Sequence, residues 1–181
     1  GTLTTGKLDD GRGGARASVL LAKHEKESGR TTNISYNYMR CDSESAERDI
    51  TLIDLAGHEK YLKTTMFGIT GLTPDYGIVI VESATLPNIM TREHLKLLMY
   101  LSIPVIILLT KKDVCPDDKY LDIRERLKRM MKNNVFSKFG RSLIFIDNDT
   151  DYDYLYSMCS TTHSFDSVVP VITISSKTGL N

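Results

Sequence analysis

Apolar residues along this chain gather in short unbroken runs separated by longer stretches of mixed character. Two runs stand out, Ile78-Val-Ile-Val81 and Val105-Ile-Ile-Leu-Leu109. Both are rich in β-branched residues and neither alternates with polar ones. That pattern predicts strands buried on both faces of a parallel sheet. Further strands are predicted at Ile50–Leu55 and Val169–Ile174, and the polar-alternating stretch Asn33–Arg40 predicts an edge strand.

Helical periodicity fills the intervals. Thr91 is a natural N-cap, Glu93 suits a first turn, and Leu95, Leu98 and Met99 share one face. Asp117 or Asp118 can cap a second helix whose apolar stripe is Ile123, Leu127, Met130 and Met131, with Asn133-Asn134 at its end. A less regular helix is predicted over His58–Gly68. Strands alternating with helices imply parallel βαβ units, hence an α/β three-layer sandwich around a mostly parallel sheet. Cys41–Arg48 reads as a short polar loop. Asp147–Phe165 reads as an acidic ordered insertion, in which alternating Tyr152, Tyr154 and Tyr156 also allow a small edge strand.

Composition narrows the function classes. The 181 residues fit one domain, and 41% hydrophobic with 25% charged residues is ordinary for a globular protein. Lys plus Arg and Asp plus Glu both number 23, which gives no sign of a strongly basic nucleic-acid binder. Cys41, Cys115 and Cys159 are widely spaced and odd in number. They form neither a disulfide framework nor a zinc spacing, and they suit a reducing, cytoplasmic setting. His24, His58, His94 and His163 form no helical metal pair. No apolar run is long enough to cross a membrane, and the start of the chain lacks the features of a signal peptide. It also lacks an initiating Met, as expected of a cut end.

In an open parallel sheet, ligands bind beyond the carboxyl ends of the strands. Three polar segments fall there: Asp54-Leu-Ala-Gly57-His58, Thr110-Lys111-Lys112-Asp113 and Ser175-Ser176-Lys177-Thr-Gly179. Each alone is common in ordinary loops. Together they follow buried strands in the order that a guanine-nucleotide site requires.

On these residues the chain resembles the GTP-binding (G) domain of translational GTPases such as elongation factor Tu, a P-loop NTPase fold. It is similar above all to the subfamily called GTP-binding proteins one and two. The most specific matches are Leu8-Asp-Asp-Gly-Arg-Gly13, Lys23-His-Glu-Lys-Glu-Ser-Gly-Arg-Thr-Thr32, Asp54 to Thr65 and Thr91-Arg-Glu-His94, and the likeness runs from the first residue to the last.

The resemblance implies a role for each site residue. Asp113 would accept hydrogen bonds from the guanine N1–H and exocyclic amine, a donor pair that adenine lacks, which argues against an ATP-using relative. Lys111 would lay its apolar stem along the purine. Thr110 stands where the motif usually has Asn, which weakens the tether to neighbouring loops. Ser175, Ser176 and Lys177 would close over the base, with the Ser176 N–H facing the guanine oxygen. Asp54 and Thr31 would hold Mg²⁺, Thr31 only in the GTP state. Gly57 would offer its N–H to the γ-phosphate, and His58 would position the attacking water. Asp9–Thr32 would be the first switch, ordered by the γ-phosphate and Mg²⁺. The implied ligands are GTP or GDP with Mg²⁺; the implied partners are the ribosome or tRNA, reached through other parts of the protein, and no membrane.

The sequence G-x-x-x-x-G-K-[ST] of a phosphate loop does not occur; Gly6-Lys7 is followed by Leu8 and follows no predicted strand. In the family that loop and the first strand precede the position matching Gly1. The 181 residues are therefore expected to form a partial G domain that by itself binds GTP weakly, does not hydrolyse it and folds poorly. The leading expectation is a GTPase in the intact protein. The alternative is a degenerate, non-hydrolysing G domain that serves as a partner-binding module.

Overall fold

A computed structural model describes residues 2–17, 19, 20, 22–29, 31–43, 46–85, 87–162 and 166–181. They form two compact units, Gly1–Thr73 and Pro74–Asn181.

The first unit opens with three short helices, α1 (Thr2–Thr5), α2 (Gly14–Ala17) and α3 (Lys23–Ser28). Two nine-residue strands follow, β1 (Ser35–Ser43) and β2 (Ala46–Asp54), paired antiparallel so that Ser35 faces Asp54. The stretch Cys41–Arg48, expected as a loop, is therefore largely strand: the pairing of β1 with β2 runs on through Cys41↔Arg48 and Asp42↔Glu47 to Ser43↔Ala46. Both strands were expected, but each is longer. A 3₁₀ turn at Glu59–Tyr61 leads into α4 (Leu62–Leu72), four residues further than the predicted end at Gly68. Buried Thr65 ties α4 to the segment after β2, its hydroxyl donating to the Ala56 carbonyl at 2.5 Å.

The second unit carries a four-stranded parallel sheet in the order β3 (Gly77–Glu82), β4 (Val105–Thr110), β6 (Val168–Thr173), β5 (Ser142–Ile146). Between them run α5 (Ile89–Tyr100), α6 (Asp117–Lys132) and α7 (Asp149–Thr162). The chain steps outward from β3 to β5 and then back to β6, a path for which the right-handed rule of parallel connections expects α5 and α6 on one face and α7 on the other. Leu95, Val105, Ile107, Leu109, Leu127, Phe136, Ile146, Val169 and Val171 are 0–1% exposed and make the core. Each such side chain contributes about 1.5–3 kcal/mol of burial. On β3 only alternate residues are buried; Ile78 and Ile80 are 45% and 57% exposed.

Local chemistry explains where the elements differ from expectation. Asn88, not Thr91, caps α5: its Oδ1 accepts from the Thr91 N–H at 2.7 Å and from the Thr91 hydroxyl at 3.0 Å. Thr91 is thus three residues inside the helix and Glu93 lies beyond its first turn. Pro116 occupies the cap of α6, and Asp117 and Asp118 sit in its first turn, where they favour the positive end of the helix dipole. The tyrosine alternation does not make a strand. Tyr152, Tyr154 and Tyr156 lie on α7, which starts from a reciprocal cap: Asn148 Oδ1 accepts from the Asp151 N–H (3.0 Å), and Asp151 Oδ2 from the Asn148 N–H (3.2 Å). Strand β5 was not expected; its apolar part, Leu143–Ile146, is too short to be told from a helix by pattern alone.

Candidate functional site

In the first unit the candidate residues lie at and beyond the end of β2. Asp54 is its last residue, half-buried. Thr31 is 7% exposed, and its hydroxyl donates to Asp54 Oδ2 at 3.0 Å. The structure thus brings together the two residues singled out as metal ligands, 23 positions apart in sequence. A carboxylate and a hydroxyl oxygen suit Mg²⁺, which takes one or two protein oxygens and fills its octahedron with phosphates and water. Among the described residues no cluster of three or more His, Cys, Asp or Glu could hold a metal.

Gly57 is exposed, and a Cβ built there would meet nothing within 4 Å. Among the described residues nothing packs against this position, so its backbone is open to approach. His58 is exposed and caps the 3₁₀ turn: Nδ1 accepts the Lys60 N–H at 3.2 Å, and the ring lies edge-on to Tyr61 at 6.3 Å. With Nδ1 accepting, the neutral ring carries its proton on Nε2, which is turned away from the cap.

In the second unit the neighbouring strands β4 and β6 deliver the other candidates. Leu109 pairs with Thr173, so the segments that follow emerge side by side. The Ser175 hydroxyl donates to Asp113 Oδ1 at 2.6 Å and accepts the Thr178 N–H at 3.2 Å. Ser175 is 2% exposed, whereas Asp113, Ser176 and Lys177 are exposed. A tight turn braces the serine: its N–H donates to the Leu180 carbonyl at 3.1 Å, and its carbonyl accepts the Gly179 N–H at 2.9 Å. One oxygen of the exposed Asp113 carboxylate is therefore held by a buried donor.

Thr110 ends β4, and its hydroxyl donates to the Val81 carbonyl at 3.4 Å, a tether to β3. Lys111 takes the left-handed conformation (φ 60, ψ 37). Its ammonium lies 3.1 Å from Glu82 Oε1, and this hydrogen bond holds the Glu82 carboxyl below its ordinary value.

Two participants went unread in the sequence. Glu82 is the last residue of β3, so the search beyond strand ends would have found it had it been applied to that strand too. Glu25 binds the segment after Thr31 and carries no local signal.

The family described as elongation factor Tu GTP binding domain matches residues 2–181. The chain belongs to this family. It is 35% identical over 202 residues to GTP-binding protein 1 of Xenopus laevis, across 100% of the chain and 30% of that protein. It is 34% identical over 196 residues to GTP-binding protein 2 of Mus musculus, across 99% of the chain and 32% of that protein. The chain thus spans about a third of the length of these relatives. Among solved structures, translation elongation factor SelB from Methanococcus maripaludis in complex with the GTP analogue GppNHp superposes with a TM-score of 0.58 at 19% identity, over 93% of this chain and 28% of that one. Bacterial selenocysteine-specific elongation factor EF-Sec gives 0.58 and 19%, over 88% and 22%. These two show the fold alone, an α/β architecture with a mostly parallel sheet.

Proposed function

We propose that the intact protein binds GTP with Mg²⁺ and hydrolyses it to GDP and phosphate. The observation that carries this reading is the 2.6 Å hydrogen bond from buried Ser175 to Asp113 at the carboxyl ends of adjacent parallel strands. It pre-orients a carboxylate at the sheet edge where ligands bind.

In the second unit, Asp113 accepts from the guanine N1–H and exocyclic amine, a donor pair that adenine does not offer. Lys111 lays its stem along the purine, the Ser176 N–H faces the guanine oxygen, and Thr110 and Lys177 complete the surround. In the first unit, Asp54 and Thr31 hold Mg²⁺, which when bound neutralises charge on the phosphates. Gly57 offers its N–H to the γ-phosphate without a side chain in the way. His58, anchored through Nδ1, donates from Nε2–H to the attacking water and orients it; positioning is most of what this reaction asks of a protein. The phosphate cradle is not among the residues described. Likeness to elongation factors is what supports the ribosome or tRNA as partner and the cytoplasm as location. No helix of the described residues is long and apolar enough to cross a membrane.

Asp113→Asn tests the base-reading role. The new amide donates to the C2 oxygen of xanthine, so preference should move from guanine to xanthine nucleotides by roughly 10²-fold or more. Equal loss for both bases in equilibrium binding would rule the role out.

A further inference from the structure

One buried carboxylate of the first unit has no part in the roles above. Glu25, on α3, is 5% exposed. Its Oε1 accepts the Thr32 N–H at 2.7 Å, the Thr32 hydroxyl at 2.8 Å and the Asn33 N–H at 3.2 Å. Its Oε2 accepts the Ala22 N–H at 3.4 Å. The Thr32 hydroxyl is engaged on both sides, since His24 Nε2 lies 2.9 Å from it and can donate. These donors, foremost those of Thr32, hold the Glu25 carboxyl at about 2.

A buried charge is tolerated when its lone pairs are matched, and here they are matched mostly by backbone of a segment seven and eight residues downstream. The chain returns to α3 through Gly29, in the left-handed conformation at φ 63. Glu25 therefore fixes the backbone at Thr32 and Asn33, and the residue immediately before them is Thr31, whose hydroxyl is on Asp54. Ser35 then enters β1 opposite Asp54, so one short segment is pinned at both ends.

The geometry points to Glu25 as the positioning residue of the first switch: by holding the backbone beside Thr31 it stations that residue at Asp54 and so favours GTP over GDP. This rests on the reading of Thr31 as a metal ligand of the GTP state. Part of the order of the switch is then built into the chain, which lowers the ordering cost of binding the GTP state.

The test is made in the intact protein, with fluorescent GDP and GppNHp in Mg²⁺. Glu25→Gln keeps the shape and removes the charge; it should weaken GppNHp about three- to tenfold and GDP less than about twofold. Thr31→Ala should show the same selectivity, and the double variant should lose nothing further. Equal weakening of both nucleotides by Glu25→Gln, with Thr31→Ala still selective, overturns the assignment to Glu25 and leaves Thr31 in place. An unselective Thr31→Ala overturns the reading beneath it. Should Glu25→Gln fail to fold, Thr32→Ala removes one donor and keeps both backbone bonds. It should weaken GppNHp alone, by a smaller factor, and unchanged selectivity in that variant refutes the proposal.

Discussion

Removing the Ser175 hydroxyl isolates the feature on which base recognition depends. Ser175→Ala deletes a 2.6 Å bond to Asp113 and leaves the Thr178 N–H without its 3.2 Å acceptor. The turn survives, because its other bonds, from the Ser175 N–H to Leu180 and from the Gly179 N–H to Ser175, are backbone. A hydrogen bond to an ionised acceptor contributes about 1.5–3 kcal/mol. Asp113 is exposed, and water recovers part of that when the serine is gone. About 1 kcal/mol of pre-orientation remains, a five- to tenfold rise in Kd for GDP. The assay is equilibrium titration of the intact protein with fluorescent GDP, beside a thermal melt. The expected result is weaker binding with a melting temperature within about 2 °C of the parent, since the change touches no apolar packing. An unchanged Kd would show that Asp113 needs no support from Ser175, and the account of the base site would fail.

Three further outcomes follow from the same geometry. His58→Ala should leave GTP affinity within about twofold and slow single-turnover hydrolysis roughly 10²-fold; an unchanged rate removes His58 from the mechanism. Gly77→Ala would place a Cβ 2.6 Å and 2.8 Å from the two methyls of buried Leu98, so the melt of the intact protein should reveal a loss of about 1–3 kcal/mol, and a neutral effect would show that α5 can shift away from β3. Glu25 is held at about 2 against an ordinary 4.5, chiefly by its bonds from Thr32. A carboxyl depressed in the folded state stabilises above its unfolded value, and that contribution fades as pH falls from about 4.5 toward about 2. Acid titration of the melting temperature should therefore be less steep in Glu25→Gln than in the parent over that window, and parallel curves would contradict the hydrogen-bond set.

Local pattern determined a good deal here. The strands β3, β4 and β6 were legible from their β-branched apolar runs, though on β3 only alternate residues are buried, and the apolar stripe of α6 because Ile123, Leu127, Met130 and Met131 recur at helical spacing. The candidate residues after β2, β4 and β6 were legible because ligands sit beyond strand ends, a rule that needs only the strands and the direction of the chain, whereas Thr31 came from the family resemblance alone. Other features were present but outweighed: Asn88 and Asn148 are caps by residue type, yet Thr91 and the tyrosine alternation drew the reading instead. What the tertiary structure alone decided is which groups meet. Ser175 reaches Asp113 across 62 positions because β6 lies beside β4, Lys111 reaches Glu82 across 29 because β3 lies on the other side, and Glu25 grips Thr32 because a left-handed glycine turns the chain back. Strand order and loop closure come from the packing of the whole sheet, and no period along the sequence encodes them.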